Sequence, residues 1–155
     1  MTLIYCQDLT HLGLRFGDRT HAWDDGTDRI LSNVHDLSTS LHTLILVLNY
    51  KYESASPILS LNLPQLRSLE MGTFSVPDTS EAMAFWRRHP LIEKLKLSNT
   101  QRGDHWFSET VDGDLLPNLI YLEVSMVVSG CFIHLGRRNT FKQILSSPAS
   151  VMCSF

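Results

Sequence analysis

One six-residue pattern sets the limits on what this chain can fold into: leucine, two variable residues, leucine, one variable residue and a further apolar residue. It reads Leu9-Thr10-His11-Leu12-Gly13-Leu14 and Leu41-His42-Thr43-Leu44-Ile45-Leu46 in the first part of the chain. It returns as Leu66-Arg67-Ser68-Leu69-Glu70-Met71, Ile92-Glu93-Lys94-Leu95-Lys96-Leu97 and Leu119-Ile120-Tyr121-Leu122-Glu123-Val124. The starts lie about 32, 25, 26 and 27 residues apart. Pro64, Pro90 and Pro117 each stand two residues ahead of a hexamer. A single hexamer says little, because leucine is common. A nearly constant period says that one strand-forming unit is reused, with each copy burying its flank against the next. The apolar positions of all five hexamers are therefore the expected core.

This spacing resembles that of leucine-rich-repeat proteins over residues 1–125. The predicted fold is α/β, a truncated leucine-rich-repeat solenoid of about five irregular repeats. Each repeat places one short parallel strand on a concave side and a helix or irregular segment on a convex side. Asn49 stands alone at the position three residues after the last apolar strand residue. Gly17, Phe74, Thr100 and Val127 fill the other equivalents, so a ladder of asparagines is not expected. Residues 126–155 read as an irregular, weakly packed C-terminal tail. They hold Arg137, Arg138 and Lys142 but no acid, and no sixth hexamer falls near residue 145. The first hexamer begins so early that the chain reads as starting inside a longer solenoid. Uncapped ends then predict self-association.

Between the hexamers the connectors differ. Thr27 or a neighbouring Asp is placed to cap a helix running to about Leu37, with Ile30, Leu31, Val34 and Leu37 on one face. Ser56-Pro57 suits a single helical turn, since proline is tolerated at the first helical position. Asp78 followed by Glu81 resembles a capping box. The helix after it, to about His89, carries Ala82, Phe85, Trp86 and His89 on one stripe and Arg87 and Arg88 on the other. Residues 99–116 suggest a loop with a short helix around Trp106 and Phe107.

A narrower resemblance rests on four segments: Cys6–Leu12, Leu63-Pro64-Gln65-Leu66-Arg67-Ser68-Leu69, Phe85-Trp86-Arg87-Arg88-His89-Pro90-Leu91-Ile92-Glu93-Lys94-Leu95, and Leu116-Pro117-Asn118-Leu119-Ile120-Tyr121-Leu122. These are similar to the repeat region of fungal F-box proteins; the F-box itself is missing from this sequence. The resemblance implies the substrate-recognition arm of a ubiquitin-ligase adaptor. Its partner would be a protein substrate, and its setting intracellular, in cytoplasm or nucleus.

No chemistry is legible in the residues. The seven histidines and three cysteines lack the close His/Cys spacing that gathers ligands on one ion, so neither metal nor cofactor is expected. Cys131 and His134 suggest a thiol–imidazole pair, but no orienting third group is identifiable. A thiol-dependent enzyme using Cys131 remains the competing class, and a truncated gene product with no independent role is a third. A net charge of -3 gives no case for nucleic acid, which wants a basic face. No apolar run reaches the ~20 residues of a membrane span. The reading that fits is a non-enzymatic protein-interaction module.

The candidate site is the outward face of the strands. Equivalent residues of parallel, in-register strands stack ~4.8 Å apart. One outward column reads Gly13, Ile45, Glu70, Lys96, Glu123, and its neighbour reads His11, Thr43, Ser68, Lys94, Tyr121. Glu70, Lys94, Lys96, Tyr121 and Glu123 are the candidate polar part of a partner-binding patch, with Ile45 and Val47 as its apolar part. The competing interpretation is that Lys96 only bridges two carboxylates, worth ~0–1 kcal/mol at a surface.

Overall fold

The computed structural model describes residues 8–16, 38–48, 53–76, 78–100, 106–107, 115–128, 131–135 and 151–152. Five parallel strands come from the five hexamers: β1 (His11–Phe16), β2 (Thr43–Leu48), β4 (Ser68–Gly72), β6 (Lys94–Thr100) and β7 (Tyr121–Val128). Two more, β8 (Cys131–Leu135) and β9 (Val151–Met152), extend the same sheet beyond β7. The strand order is β1-β2-β4-β6-β7-β8-β9. A second, two-stranded parallel sheet joins β3 (Glu53–Ser54) to β5 (Phe74–Ser75). Among the described residues there are two α-helices, α1 (Ser56–Leu59) and α2 (Thr79–Arg88).

The prolines ahead of the hexamers have a local explanation. The Leu66 N–H donates to the Leu63 carbonyl, Ile92 to His89 and Leu119 to Leu116, at 2.9, 3.2 and 3.1 Å. Each is a four-residue turn with proline second, the position its locked φ suits best. The turn delivers the chain to the sheet in one register. There a single carbonyl receives two N–H groups from the next strand's start. His42 and Thr43 both donate to Thr10, Arg67 and Ser68 to His42, Glu93 and Lys94 to Arg67, and Ile120 and Tyr121 to Glu93. For β4, β6 and β7 the repeated unit is thus a proline turn followed by a strand.

The architecture departs from the expected solenoid. A solenoid of leucine-rich repeats would close each strand with an equivalent segment and progress in one direction. The connectors are not equivalent. One holds β3 and a single helical turn, the next holds β5 and the ten-residue α2. The sheet also stops progressing after β7, because β8 pairs antiparallel with β7 and β9 antiparallel with β8. Among the described residues, the fold is a small five-stranded parallel sheet, continued by two antiparallel strands and backed by two helices. The division drawn after residue 125 falls inside β7, and the segment read as an irregular tail contributes β8 and β9. The helix expected over residues 27–37, and most of the loop over 99–116, lie outside the described residues.

The core is the inward face of the sheet against the helices. Leu44, Leu69, Leu95 and Leu122 form one buried row, and Leu46, Met71 and Leu97 the next. Leu9, Leu14 and Val124 pack on its margin and are only partly buried. The other expected core residues, Leu12, Leu41, Leu66, Ile92 and Leu119, are buried.

The α2 helix buries its expected stripe, Ala82, Phe85, Trp86 and His89, and adds Met83. Asp78 caps it, accepting from the Ser80 N–H at 2.8 Å. Glu81 does not reach back to complete a capping box. It accepts instead from the Ser56 hydroxyl of α1 at 2.5 Å, and so links the two helices. Trp86 donates its indole N–H to the Trp106 carbonyl at 2.9 Å and stacks on Phe107. These aromatic residues are core, not a ligand cage.

His89 closes α2. Its Nδ1–H donates to the Phe85 carbonyl at 2.7 Å, which leaves Nε2 to accept the Leu63 N–H at 2.9 Å. Only the neutral ring satisfies both contacts. Burial lowers its pKa from the ordinary value of about 6.5, the Phe85 carbonyl opposes that, and the Arg88 charge adds to it.

Candidate functional site

Strand alternation sends every second side chain away from the core. On β2, β4, β6 and β7 the outward residues are those between the buried leucines, and the pairing stacks them as the spacing predicts. Gly13 pairs with Ile45, Ile45 with Glu70, Glu70 with Lys96 and Lys96 with Glu123. The neighbouring column pairs His11, Thr43, Ser68, Lys94 and Tyr121 in the same order.

The charged column is continuous. The Lys96 ammonium lies 3.5 Å from Glu123 and 4.0 Å from Glu70. The Tyr121 hydroxyl, two residues along β7, donates to the other Glu123 oxygen. Glu70 also meets Arg15 at 3.5 Å. Arg15 was missing from the sequence-derived set. It lies on β1 while Glu70 lies on β4, so its side chain must cross over β2 to arrive there. A third outward column, Arg15, Val47, Gly72 and Ser98, was the signal available for it.

The crossing arginine also bears on the apolar part of the patch. Ile45 and Val47 are half-buried, not freely exposed. Each has glycine for a neighbour in its row. Gly13 sits beside Ile45, and a β-carbon on Gly72 would come within 3.1 Å of Val47. Val47 thus packs directly over Gly72, and Arg15 passes over β2 to reach Glu70. The candidate residues Ile45, Val47, Glu70, Lys96, Tyr121 and Glu123 therefore form one connected surface. Lys94 lies beside it at the strand start and is exposed, with no ion pair among the described residues.

Glu70 and Glu123 are largely sheltered, at 21% and 16% side-chain exposure, while Lys96 is 37% exposed. Such partly wet pairs are worth ~0–1 kcal/mol each. The column adds little to folding. It does hold a tyrosine, a lysine and two carboxylates in set positions on a rigid backbone.

Among the described residues, no group of three or more His, Cys, Asp or Glu is placed to hold a metal ion. Cys131 and His134 fall in β8, where the backbone alone is described. No described helix is long and apolar enough to cross a membrane. No family model, characterised protein or solved structure matches the chain.

Proposed function

We propose that this protein is a non-enzymatic interaction module that binds a protein partner on the outward face of its parallel sheet. The observation that supports this reading is the Arg15–Glu70–Lys96–Glu123–Tyr121 network laid across four strands. Protein interfaces favour aromatic residues and arginine with satisfied polar groups at the rim, and this face supplies both at low conformational cost. The resemblance to the repeat region of fungal F-box proteins names the partner class: an intracellular protein presented for ubiquitination.

The test uses the immobilised full chain. A partner captured by the native protein is purified and its affinity measured against Lys96→Glu and Tyr121→Ala. Lys96→Glu sets three carboxylates in one column and is expected to abolish capture, and Tyr121→Ala to weaken it about tenfold. Undiminished affinity for both variants excludes this face as the binding surface.

A further inference from the structure

The turn-and-strand unit does something besides set the register. Because the Thr10, His42, Arg67 and Glu93 carbonyls each take two N–H groups from the neighbouring strand, the backbone at the strand starts is already satisfied. What faces outward there is side chain alone. It lines an open groove of 450 Å³ running across β1, β2, β4 and β6. Its charged and titratable side chains are His11, His42, Arg67, Glu93 and Lys94. With histidine counted neutral, as in the chain's net charge of -3, the groove holds two cations, Arg67 and Lys94, against one acid, Glu93.

The state of each group matters. Glu93, the acid of the groove, is spent on Arg67 at 2.5 Å. That contact engages one of the guanidinium's five N–H donors and leaves the rest of the fork for another acceptor. Lys94, on the adjacent strand, pairs with no acid among the described residues. His42 is oriented, with its Nδ1–H on the Ser40 carbonyl at 2.6 Å, so Nε2 is its remaining polar atom. The dimensions are those of a short peptide. Four strands at ~4.8 Å spacing span ~14 Å, the length of four or five residues of extended chain.

We infer that this groove receives an extended acidic stretch of the protein partner, its carboxylates set against Lys94 and the free side of Arg67. The inference rests on the sheet-face reading above and adds the chemistry of the segment recognised. Charge complementarity selects the occupant, because the Arg67–Glu93 pair leaves the Lys94 charge in surplus, which attracts carboxylates and disfavours basic segments.

Fluorescence anisotropy of a fluorescein-labelled hexaglutamate peptide, titrated with the full chain, tests it. Saturable binding is expected, weakened by added salt. Lys94→Glu is expected to lower affinity about tenfold or more. This lysine is exposed, and the variant's thermal melt verifies that it folds. Glu93→Gln releases Arg67 and is expected to tighten binding about threefold. Absence of binding, equal binding by Lys94→Glu, or weaker binding by Glu93→Gln overturns the inference. So does full displacement by inorganic phosphate at the same charge concentration, which would make the groove a small-anion site. Partner capture by Lys96→Glu reports separately on the sheet face. If that variant loses capture while hexaglutamate fails to bind, the acidic-segment inference falls and the sheet-face reading stands.

Discussion

The two faces of the parallel sheet are made by the same strands, residue by residue, and they do opposite things. On β6, Leu95 and Leu97 are fully buried, while Lys94 and Lys96 between and beside them reach outward. On β4, Leu69 and Met71 are buried on either side of Glu70. The inward rows are chemically monotonous and nearly interchangeable from strand to strand. The outward columns change at every step: glycine, isoleucine, glutamate, lysine, glutamate. Burial of apolar area is where stability resides, and partly wet ion pairs add little. The difference teaches that this sheet separates the residues that bury its core from those it presents outward by a single residue of phase, which on the proposed reading divides folding from recognition.

The sharpest break of that comparison is on the inward face. Leu95→Ala removes a fully buried side chain from the inward face of the sheet and is expected to cost about 2–5 kcal/mol, read by denaturant unfolding. A loss below about 1 kcal/mol would put the register of the inward rows in doubt.

His89 comes next, because it binds the helix layer to the turn ahead of β4. His89→Leu leaves the buried Leu63 N–H without its acceptor and is expected to cost about 1–3 kcal/mol. The same contact gives a pH dependence with a definite sign. The folded pKa lies below the unfolded one, so the unfolded chain binds the proton first. This stability is fully present above about pH 6.5 and is lost as pH falls below it towards the lowered folded value. Melts recorded down that window should decline for the native protein and decline less for His89→Leu. Parallel declines would remove His89 as the cause.

A smaller effect belongs to the cap of α2. Asp78→Ala frees the Ser80 N–H and is expected to cost about 1 kcal/mol in the same unfolding assay. No loss would mean that the Glu81–Ser56 link alone holds that helix start.

How much of this was legible in the sequence follows from the range of each signal. The strands, their register and both outward columns were readable, because alternation and period are local and repeat. The stripe of α2 was readable for the same reason, and so was the helical turn at Ser56-Pro57. The architecture was not. The hexamers specify strands but are silent on what lies behind each one, and the connectors turned out unequal. The composition of residues 126–155 gave no sign that β8 and β9 would return antiparallel to the sheet. Arg15 was missed because its partner Glu70 is two strands away, beyond any nearest-neighbour column. Glu81 was misassigned because a capping box looks within one helix, whereas its partner Ser56 sits in the preceding connector. Thr100 shows the same lesson on a smaller scale. No asparagine stands there, yet its hydroxyl donates to the Ser125 carbonyl of the next strand.

The smallest stability effect tests the central claim most directly. Lys96→Ala removes the cation from the middle of the outward column without adding charge or disturbing the inward rows. Its melting temperature, measured beside that of Leu95→Ala, should fall by no more than about 4 °C, the shift that 1 kcal/mol produces in a domain of this size. Affinity for the captured partner should fall at the same time. A melting temperature depressed as far as that of Leu95→Ala, with affinity unchanged, would contradict the account and make the outward column part of the folding machinery.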